Sequence, residues 1–180
     1  MTTEHAPVSV AELDALPVDV ASPLLASCCG ARAWVVGMLE RRPFGDAAAL
    51  MRAADDLWWS LGPDDWREAF AHHPRIGERD AAVRQDPRAR AWSAGEQGEA
   101  RDADNVVRRR LQAGNAAYER RFGHIYIVCA SGRTADELLA ILESRLSNDP
   151  DAELRVAAGE QAKITALRLR KLLGLSEAHR

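Results

Sequence analysis

The sequence predicts an all-α protein, a single-domain helical bundle of about seven to nine helices with one short extended apolar segment near residues 125–130. Two observations lead to this fold class. Apolar residues recur at helical spacing through most of the 180-residue chain, and residues typical of helix starts and ends stand at the borders of those stretches. Only one run, Ile125–Ala130, has the β-branched apolar character of a strand.

The first two predicted helices lie near the N-terminus. Ser9 and Glu12 form a capping-box pattern, in which each side chain satisfies a backbone N–H of the other residue, and Pro17 closes the short helix that follows. Gly30–Arg41 carries an apolar stripe that stops before Pro43 and is made of Trp34, Val35, Met38 and Leu39.

Two more helices are predicted before residue 73. Asp46 is an N-cap for a helix over Ala47–Leu61, and Gly62 stands just past its end. Pro63 then occupies a position that the first turn of a helix tolerates. His73 precedes a proline, which disfavours helical backbone, so this helix ends at His73 or just before it.

One long polar helix is predicted in the middle of the chain. Ser93 and Glu96 form a second capping-box pattern, which places a helix start at Ser93 and directs the helix towards Arg121. Phe122-Gly123 ends this helix, since glycine readily adopts the conformation that follows a last turn.

Two helices are predicted in the last third of the chain. Thr134 and Glu137 form a third capping-box pattern, and the helix they open buries Leu138, Leu139, Ile141, Leu142 and Leu146. Asn148-Asp149-Pro150 starts the last helix, which Gly174 ends. Its apolar face holds Ile164, Leu167 and Leu172.

Charge narrows the classes of function. The chain has 24 Lys and Arg against 27 Asp and Glu, a formal net charge of −3. This balance argues against general affinity for nucleic acids or anionic membranes, although a pocket for a small anion needs only one or two cations. No run of about 18 apolar residues is present, so no membrane span is expected.

One domain over residues 1–180 is expected, with a core at about 8–174 and short tails at 1–7 and 175–180. Met1–Pro7 lacks the basic-then-apolar order of a secretory signal, and Ala178–Arg180 is not a peroxisomal address of the Ser-Lys-Leu type. We therefore expect a cytoplasmic location.

No metal site is expected from the sequence. Cys28, Cys29 and Cys129 lack the spacing of zinc ligands and are expected to be reduced thiols in a reducing compartment. His72 and His73 are adjacent, so their side chains diverge, and no His-x-x-x-His pair occurs.

Three residues are candidates for chemistry. His73 titrates near neutral pH and is followed by Pro and Gly, which fix the backbone where a side chain can face a cleft. Glu96 is expected near helix N–H groups, which favour anions. Arg168 stands beside the buried stripe of the last helix, where a guanidinium needs a carboxylate partner such as that of a substrate. Each also has a purely structural interpretation, as a surface histidine, a capping residue and a solvated arginine respectively.

The segment Arg108–Arg121 is a competing feature. Its arginines are typical of a solvated helix face, but they leave open a nucleic-acid-binding helical module. Acidic residues dilute the basic charge, and Tyr118 is the single aromatic residue among these arginines, too few for a row of stacked bases.

Several ordered strings together resemble one family, the 2-oxo-4-hydroxy-4-carboxy-5-ureidoimidazoline (OHCU) decarboxylases of urate catabolism. The strings span about Leu13 to Leu173 and comprise Phe70–Gly77, Trp92–Gln97, Asn115–Gly123, Ile127–Ala130 with Gly132, Arg145–Asn148 and Glu160–Leu169. Arg75-Ile76 and Gly95 depart from the pattern of animal members and suggest a bacterial type.

The charge balance and the lack of an apolar run long enough to span a membrane predict no nucleic-acid or membrane partner. The resemblance implies an all-α, cofactor-independent carboxy-lyase that forms (S)-allantoin in purine degradation as a homodimer. It implies catalytic roles for His73, Glu96 and Arg168. It also implies substrate contacts by Pro74, Ser93, Ala94, Gly95, Gln97, Tyr126, Ile127, Val128, Cys129 and Ala130, with the backbone of Tyr126–Ala130 binding ureide and ring amides. A catalytically inactive ureide-binding protein is the remaining alternative.

Overall fold

The computed structural model describes residues 6–77, 87–97 and 105–175. Within these ranges all regular secondary structure is α-helical, in nine helices with no strand, so the predicted all-α class is confirmed. The helices are α1 Val10–Ala15, α2 Val18–Cys28, α3 Arg32–Glu40, α4 Ala47–Ser60, α5 Pro63–Phe70, α6 Pro87–Glu96, α7 Asn105–Phe122, α8 Ala135–Arg145 and α9 Pro150–Leu172.

The chain divides into two compact units. The first unit comprises the described parts of Met1–Asp65 and Ala162–Arg180, and the second comprises those of Trp66–Gln161. The chain passes between the units within α5 and again within α9. The single domain over residues 1–180 stays a prediction.

Side-chain caps start α1 and α4, two helices of the first unit, as predicted. The Ser9 N–H donates to Glu12 Oε2 at 2.7 Å, and the Glu12 N–H donates to Ser9 Oγ at 3.2 Å, which completes the capping box of α1. The Asp46 carboxylate accepts from the Ala49 N–H at 2.7 Å at the start of α4. Each cap satisfies N–H groups that have no partner inside a helix.

Long-range hydrogen bonds then tie the helices of the first unit together. Arg42 Nη1 donates to the carbonyls of Leu13, in the last turn of α1, and Leu16, its C-cap, at 3.0 and 2.7 Å. The indole Nε1–H of Trp34 donates to the Ala54 carbonyl at 3.0 Å and so joins α3 to α4. Trp34 is fully buried, where an indole N–H needs such a partner.

The core of the second unit lies between α7, α8 and the segment that joins them. It includes Ile76, Leu111, Tyr118, Tyr126, Val128, Ala130, Leu138, Leu139 and Leu142. Gly114 lets α7 approach α8 closely, because a Cβ at this position would lie 2.6 Å from Leu142 Cδ2.

The predicted helix start at Ser93 is wrong. Ser93 lies in the last turns of α6, which begins at Pro87 and ends at Glu96, and a separate helix, α7, begins at Asn105. The proline at the first helical position is the true start, since proline's fixed φ suits that position. A Ser-x-x-Glu pattern inside a helix has no unpaired N–H groups to cap, so Glu96 does not stand at an N-terminus.

The apolar run Ile125–Ala130 has no regular secondary structure and follows Gly123, whose φ of +73° ends α7 as predicted. Thr134 caps α8 in the expected capping box, with its Oγ1 accepting from the Glu137 N–H at 3.2 Å. In the described part of the chain, no helix combines the length and hydropathy that crossing a membrane requires.

Candidate active site

His73 lies just beyond α5, as its position before a proline predicts. The His72 N–H donates to the Ala69 carbonyl at 3.1 Å and the His73 N–H donates to the Phe70 carbonyl at 3.0 Å, a tightening of the last turn that releases the chain from the helix. His73 is half-buried. A loop, His73–Gly77, follows and carries Pro74.

Two side chains of α7 hold the His73–Gly77 loop. Arg75 and Glu119 form a two-pronged ion pair, with Nε–Oε1 at 2.6 Å and Nη2–Oε2 at 2.9 Å. Asn115, which is buried, donates from Nδ2 to the Ile76 carbonyl at 3.0 Å. The loop is therefore fixed to α7 at Arg75 and at Ile76, and such support is what accurate placement of a functional side chain requires.

Gln97 joins the His73–Gly77 loop to the end of α6. Its Nε2 donates to the Pro74 carbonyl and its Oε1 accepts from the Gly77 N–H, both at 3.4 Å. Glu96, the neighbouring residue, is half-buried. The second unit thus brings His73, Pro74, Glu96 and Gln97 into one region, although both ends of the Gln97 amide bind the loop.

The segment Tyr126–Ala130 is buried and bound by side chains from α8 and α9. The Ile127 carbonyl accepts from Arg145 Nη1 at 2.8 Å, and the Cys129 N–H donates to Glu160 Oε2 at 2.8 Å. By contrast, the N–H and C=O of Val128 have no hydrogen-bond partner within the described ranges. Buried backbone groups of this kind usually have a hydrogen-bond partner.

The Cys129 thiol of this segment has a raised pKa. Burial raises it most, and the negative charges of Glu160 and Glu96 raise it further. Both effects disfavour the thiolate, so Cys129 keeps its proton.

A buried polar cluster lies behind the segment. Arg145 Nε donates to Glu153 Oε1 at 2.7 Å, and Asn148 Nδ2 donates to Glu153 Oε2 at 2.6 Å. The Tyr118 hydroxyl also donates to Glu153. Burial raises the pKa of Tyr118, so this hydroxyl keeps its proton and remains a donor.

Arg168, Ser93 and Gly95 are three further residues predicted to belong to the site. Arg168 belongs to the first unit and is 3% exposed, with Nη1 donating to the Ser27 carbonyl at 3.4 Å. Burial of its guanidinium agrees with its predicted place at the border of the apolar stripe. Ser93 is buried in α6, whereas Gly95 is exposed and has open space where a side chain would start.

A family model for OHCU decarboxylase matches residues 14–170 of this chain. The chain belongs to the OHCU decarboxylase family. The match reaches into both units and includes all the residues of the candidate site.

Curated relatives carry names from the same family. The chain is 38% identical over 146 residues to "Uric acid degradation bifunctional protein TTL" of Arabidopsis thaliana, covering 81% of this chain and 45% of that protein. It is 30% identical to the 2-oxo-4-hydroxy-4-carboxy-5-ureidoimidazoline decarboxylase of Amia calva, covering 77% of this chain and 78% of that protein. The chain thus spans less than half the length of the plant protein and most of the fish protein.

Solved structures agree with this membership. An OHCU decarboxylase crystallised in the presence of (S)-allantoin superposes with a TM-score of 0.72 at 32% identity, covering 84% of this chain and 98% of that one. An (S)-allantoin synthase superposes with a TM-score of 0.67, covering 90% of this chain and 53% of that one. At 18% identity the second likeness shows the fold alone.

Sequence reasoning did not identify several residues that support the candidate site: Asn115, Tyr118, Glu119, Arg145, Asn148, Glu153 and Glu160. Six of them stand in the strings that resemble the family, and Glu153 does not. The one sequence feature that could have identified them is a polar residue at a position that helical periodicity places in the core. Periodicity alone does not say which partner such a residue binds.

Proposed function

We propose that this chain decarboxylates 2-oxo-4-hydroxy-4-carboxy-5-ureidoimidazoline to (S)-allantoin, without a cofactor, in urate degradation. The observation that carries this proposal is the family match over residues 14–170. The arrangement of the second unit supports it, because Gln97, which follows Glu96 at the end of α6, is hydrogen-bonded to the loop that carries His73.

The chemistry of the substrate explains why side chains and backbone suffice. The carbon that carries the carboxylate also carries a hydroxyl and adjoins a ring C=N. When CO2 leaves, the electron pair of the broken C–C bond moves into that C=N, so the substrate is its own electron sink. The resulting enol then tautomerises and takes a proton at the neighbouring carbon, and the face of protonation sets the chirality of allantoin.

We assign roles on this basis. His73 polarises or deprotonates the substrate hydroxyl and shuttles the proton, as a group that titrates near neutral pH can do. Glu96 holds the ureido and ring N–H groups and assists protonation. Arg168 orients an anionic or carbonyl group, which suits a planar guanidinium with paired donors.

Backbone recognition completes the proposed site. The ureido group offers adjacent N–H donors and C=O acceptors, and the segment Tyr126–Ala130 offers complementary backbone groups, of which those of Val128 have no partner within the described residues. Pro74, Ser93, Ala94, Gly95 and Gln97 contribute the remaining contacts in this proposal. We further propose a cytoplasmic homodimer, which sedimentation analysis of the purified protein would test.

One experiment tests the function. The short-lived substrate is generated from urate with urate oxidase and the hydrolase that follows it, the protein is added, and circular dichroism follows the chirality of allantoin. We expect faster formation of a single enantiomer, (S)-allantoin. The slow racemic background, unchanged by the protein, would refute the proposal and leave a catalytically inactive ureide-binding protein as the alternative.

A nucleic-acid-binding function for the Arg108–Arg121 helix has weaker support. Arg110 pairs with Glu143 at 2.7 Å, and Arg121 Nη2 donates to the Asn148 carbonyl at 3.0 Å. These arginines interact with groups of the protein itself, and an exposed pair of this kind is ordinary surface chemistry.

A further inference from the structure

Val128 is the residue of the Tyr126–Ala130 segment whose two neighbouring peptide groups are both anchored by charged side chains. Arg145 Nη1 donates to the Ile127 carbonyl and Glu160 Oε2 accepts from the Cys129 N–H, each at 2.8 Å. The first bond lies on the peptide between Ile127 and Val128, and the second lies on the peptide between Val128 and Cys129.

Because a peptide group is planar, these two hydrogen bonds also fix the directions of the Val128 N–H and C=O. In a trans peptide the C=O of one residue and the N–H of the next lie in one plane and point in opposite directions. The cis peptide bond found in the described residues is Arg42–Pro43, so both peptides flanking Val128 are trans. When Arg145 holds the Ile127 C=O, it directs the Val128 N–H the other way, and Glu160 does the same for the Val128 C=O.

Val128 is 4% exposed, and its N–H and C=O have no hydrogen-bond partner in the part of the chain that the structure describes. A donor and an acceptor on one residue match an amide or ureide, which presents an acceptor and a donor side by side. A substrate of this class would therefore satisfy both open groups.

The anchors themselves are rigid. Arg145 is held by Glu153 through Nε at 2.7 Å, and its guanidinium lies over the rings of Tyr118 and Tyr126, at 5.7 and 5.0 Å from the ring centroids. Glu153 is fully buried. Glu160 is 8% exposed, so bulk water competes little for its bond to the Cys129 N–H.

We propose that Arg145 and Glu160 are positioning residues that aim the N–H and C=O of Val128 at the ureido group of the substrate, so that Val128 is the backbone recognition residue. This inference rests on the proposed function. Neither side chain needs to touch the substrate, because each acts through the peptide that it holds.

Glu160 offers the sharper test, since Arg145 is part of a buried ion pair. Glu160→Gln keeps an oxygen at the same distance along the side chain and can still accept from the Cys129 N–H. Glu160→Met has similar length and no such acceptor. Glu143→Met is the matched control, because Glu143 is an exposed member of a surface ion pair on α8.

Four quantities are measured for each variant: the melting temperature, KM, kcat, and the enantiomeric purity of allantoin at enzyme concentrations at which the enzymatic reaction is faster than the racemic background. For Glu160→Met we expect KM to rise about tenfold, as loss of a well-formed hydrogen bond implies, together with reduced enantiomeric purity. Glu160→Gln and Glu143→Met should retain the wild-type KM and enantiomeric purity.

A merely structural role would lower the amount of active protein and the melting temperature without changing KM or enantiomeric purity. Unchanged KM and purity in Glu160→Met, or equal losses in Glu160→Gln and Glu160→Met, would overturn the positioning role while the proposed function stands. An inactive wild-type protein would overturn both. If Glu160→Met does not fold, Glu160→Asp takes its place, because the shorter side chain withdraws the acceptor and keeps the charge.

Discussion

Arg145 and Glu153 form an ion pair inside the second unit, with Arg145 Nε 2.7 Å from Glu153 Oε1 and the two side chains 7% and 0% exposed. The same arginine donates from Nη1 to the Ile127 carbonyl. Arg145, at the end of α8, thus pairs with Glu153 in the first turn of α9 and also binds the backbone segment proposed to contact the substrate. We therefore expect this one arginine to affect both stability and substrate recognition.

Removal of one partner of the buried pair should strongly destabilise the second unit. We expect Glu153→Gln to lower the free energy of unfolding by about 3–5 kcal/mol, because it leaves the Arg145 charge buried without its counter-charge. Glu143→Gln removes the partner of Arg110 in an exposed pair and should cost at most about 1 kcal/mol. Urea unfolding of the two variants beside the wild type measures both, and equal losses would contradict this assignment.

Substitution of His73 tests the proposed chemistry. His73→Asn should lower kcat by about 10²–10⁴-fold, the usual contribution of a positioned acid–base group. Because His73 lies in a loop held by the bonds of Arg75, Ile76 and Gln97, the melting temperature should stay close to that of the wild type. His72→Asn is the matched control at the adjacent position, and near-normal turnover of His73→Asn would remove the role assigned to His73.

The helix starts that depend on residues three apart could be predicted from the sequence. Ser9 with Glu12, and Thr134 with Glu137, make the capping boxes that their spacing predicts, because such caps are completed within one turn. The same pattern at Ser93 predicted a helix start that is wrong, since Ser93 lies inside α6, Pro87–Glu96. No helix was predicted over α2, which contains Pro23 in its interior, where proline normally disfavours a helix.

The supports of the candidate site could not be predicted in the same way. Glu160 reaches Cys129 across 31 residues of sequence, Arg145 reaches Ile127 across 18, and Asn115 reaches Ile76 across 39. Local propensity says nothing about such pairs, because tertiary packing decides which helix face meets which loop. The resemblance pointed to His73, Glu96 and Val128 as site residues. The structure adds the side chains that hold the loop of His73 and the backbone on either side of Val128.

Arg168 gives a prediction that depends on guanidinium geometry. Arg168→Lys keeps a positive charge but loses the planar paired donors, so we expect KM to rise by about tenfold or more, with a smaller effect on kcat. Arg170→Lys, at an exposed position of the same helix, should behave as the wild type. Steady-state kinetics on freshly generated substrate checks both variants, and an unchanged KM for Arg168→Lys would argue against substrate anchoring.

His124 makes stability depend on pH. It is 9% exposed and lies among the rings of Phe70, Tyr118 and Phe122, and burial lowers its pKa from the usual 6.5. Between the folded and unfolded pKa values the unfolded chain binds more protons, so folding stability falls as pH drops below about 6.5, by at most about 1.4 kcal/mol per pH unit.

His124→Phe keeps an aromatic ring in this position and removes the titrating group. We therefore expect the free energy of unfolding of the wild type to fall relative to that of His124→Phe as pH decreases from about 7.5 to 5.5, the range over which an unperturbed histidine gains its proton. Above about pH 7.5 the difference between the two proteins should be constant, since His124 is then neutral in both states. Urea unfolding at each pH measures the two curves, and a constant difference over the whole range would show that His124 binds its proton equally in the folded and unfolded chains.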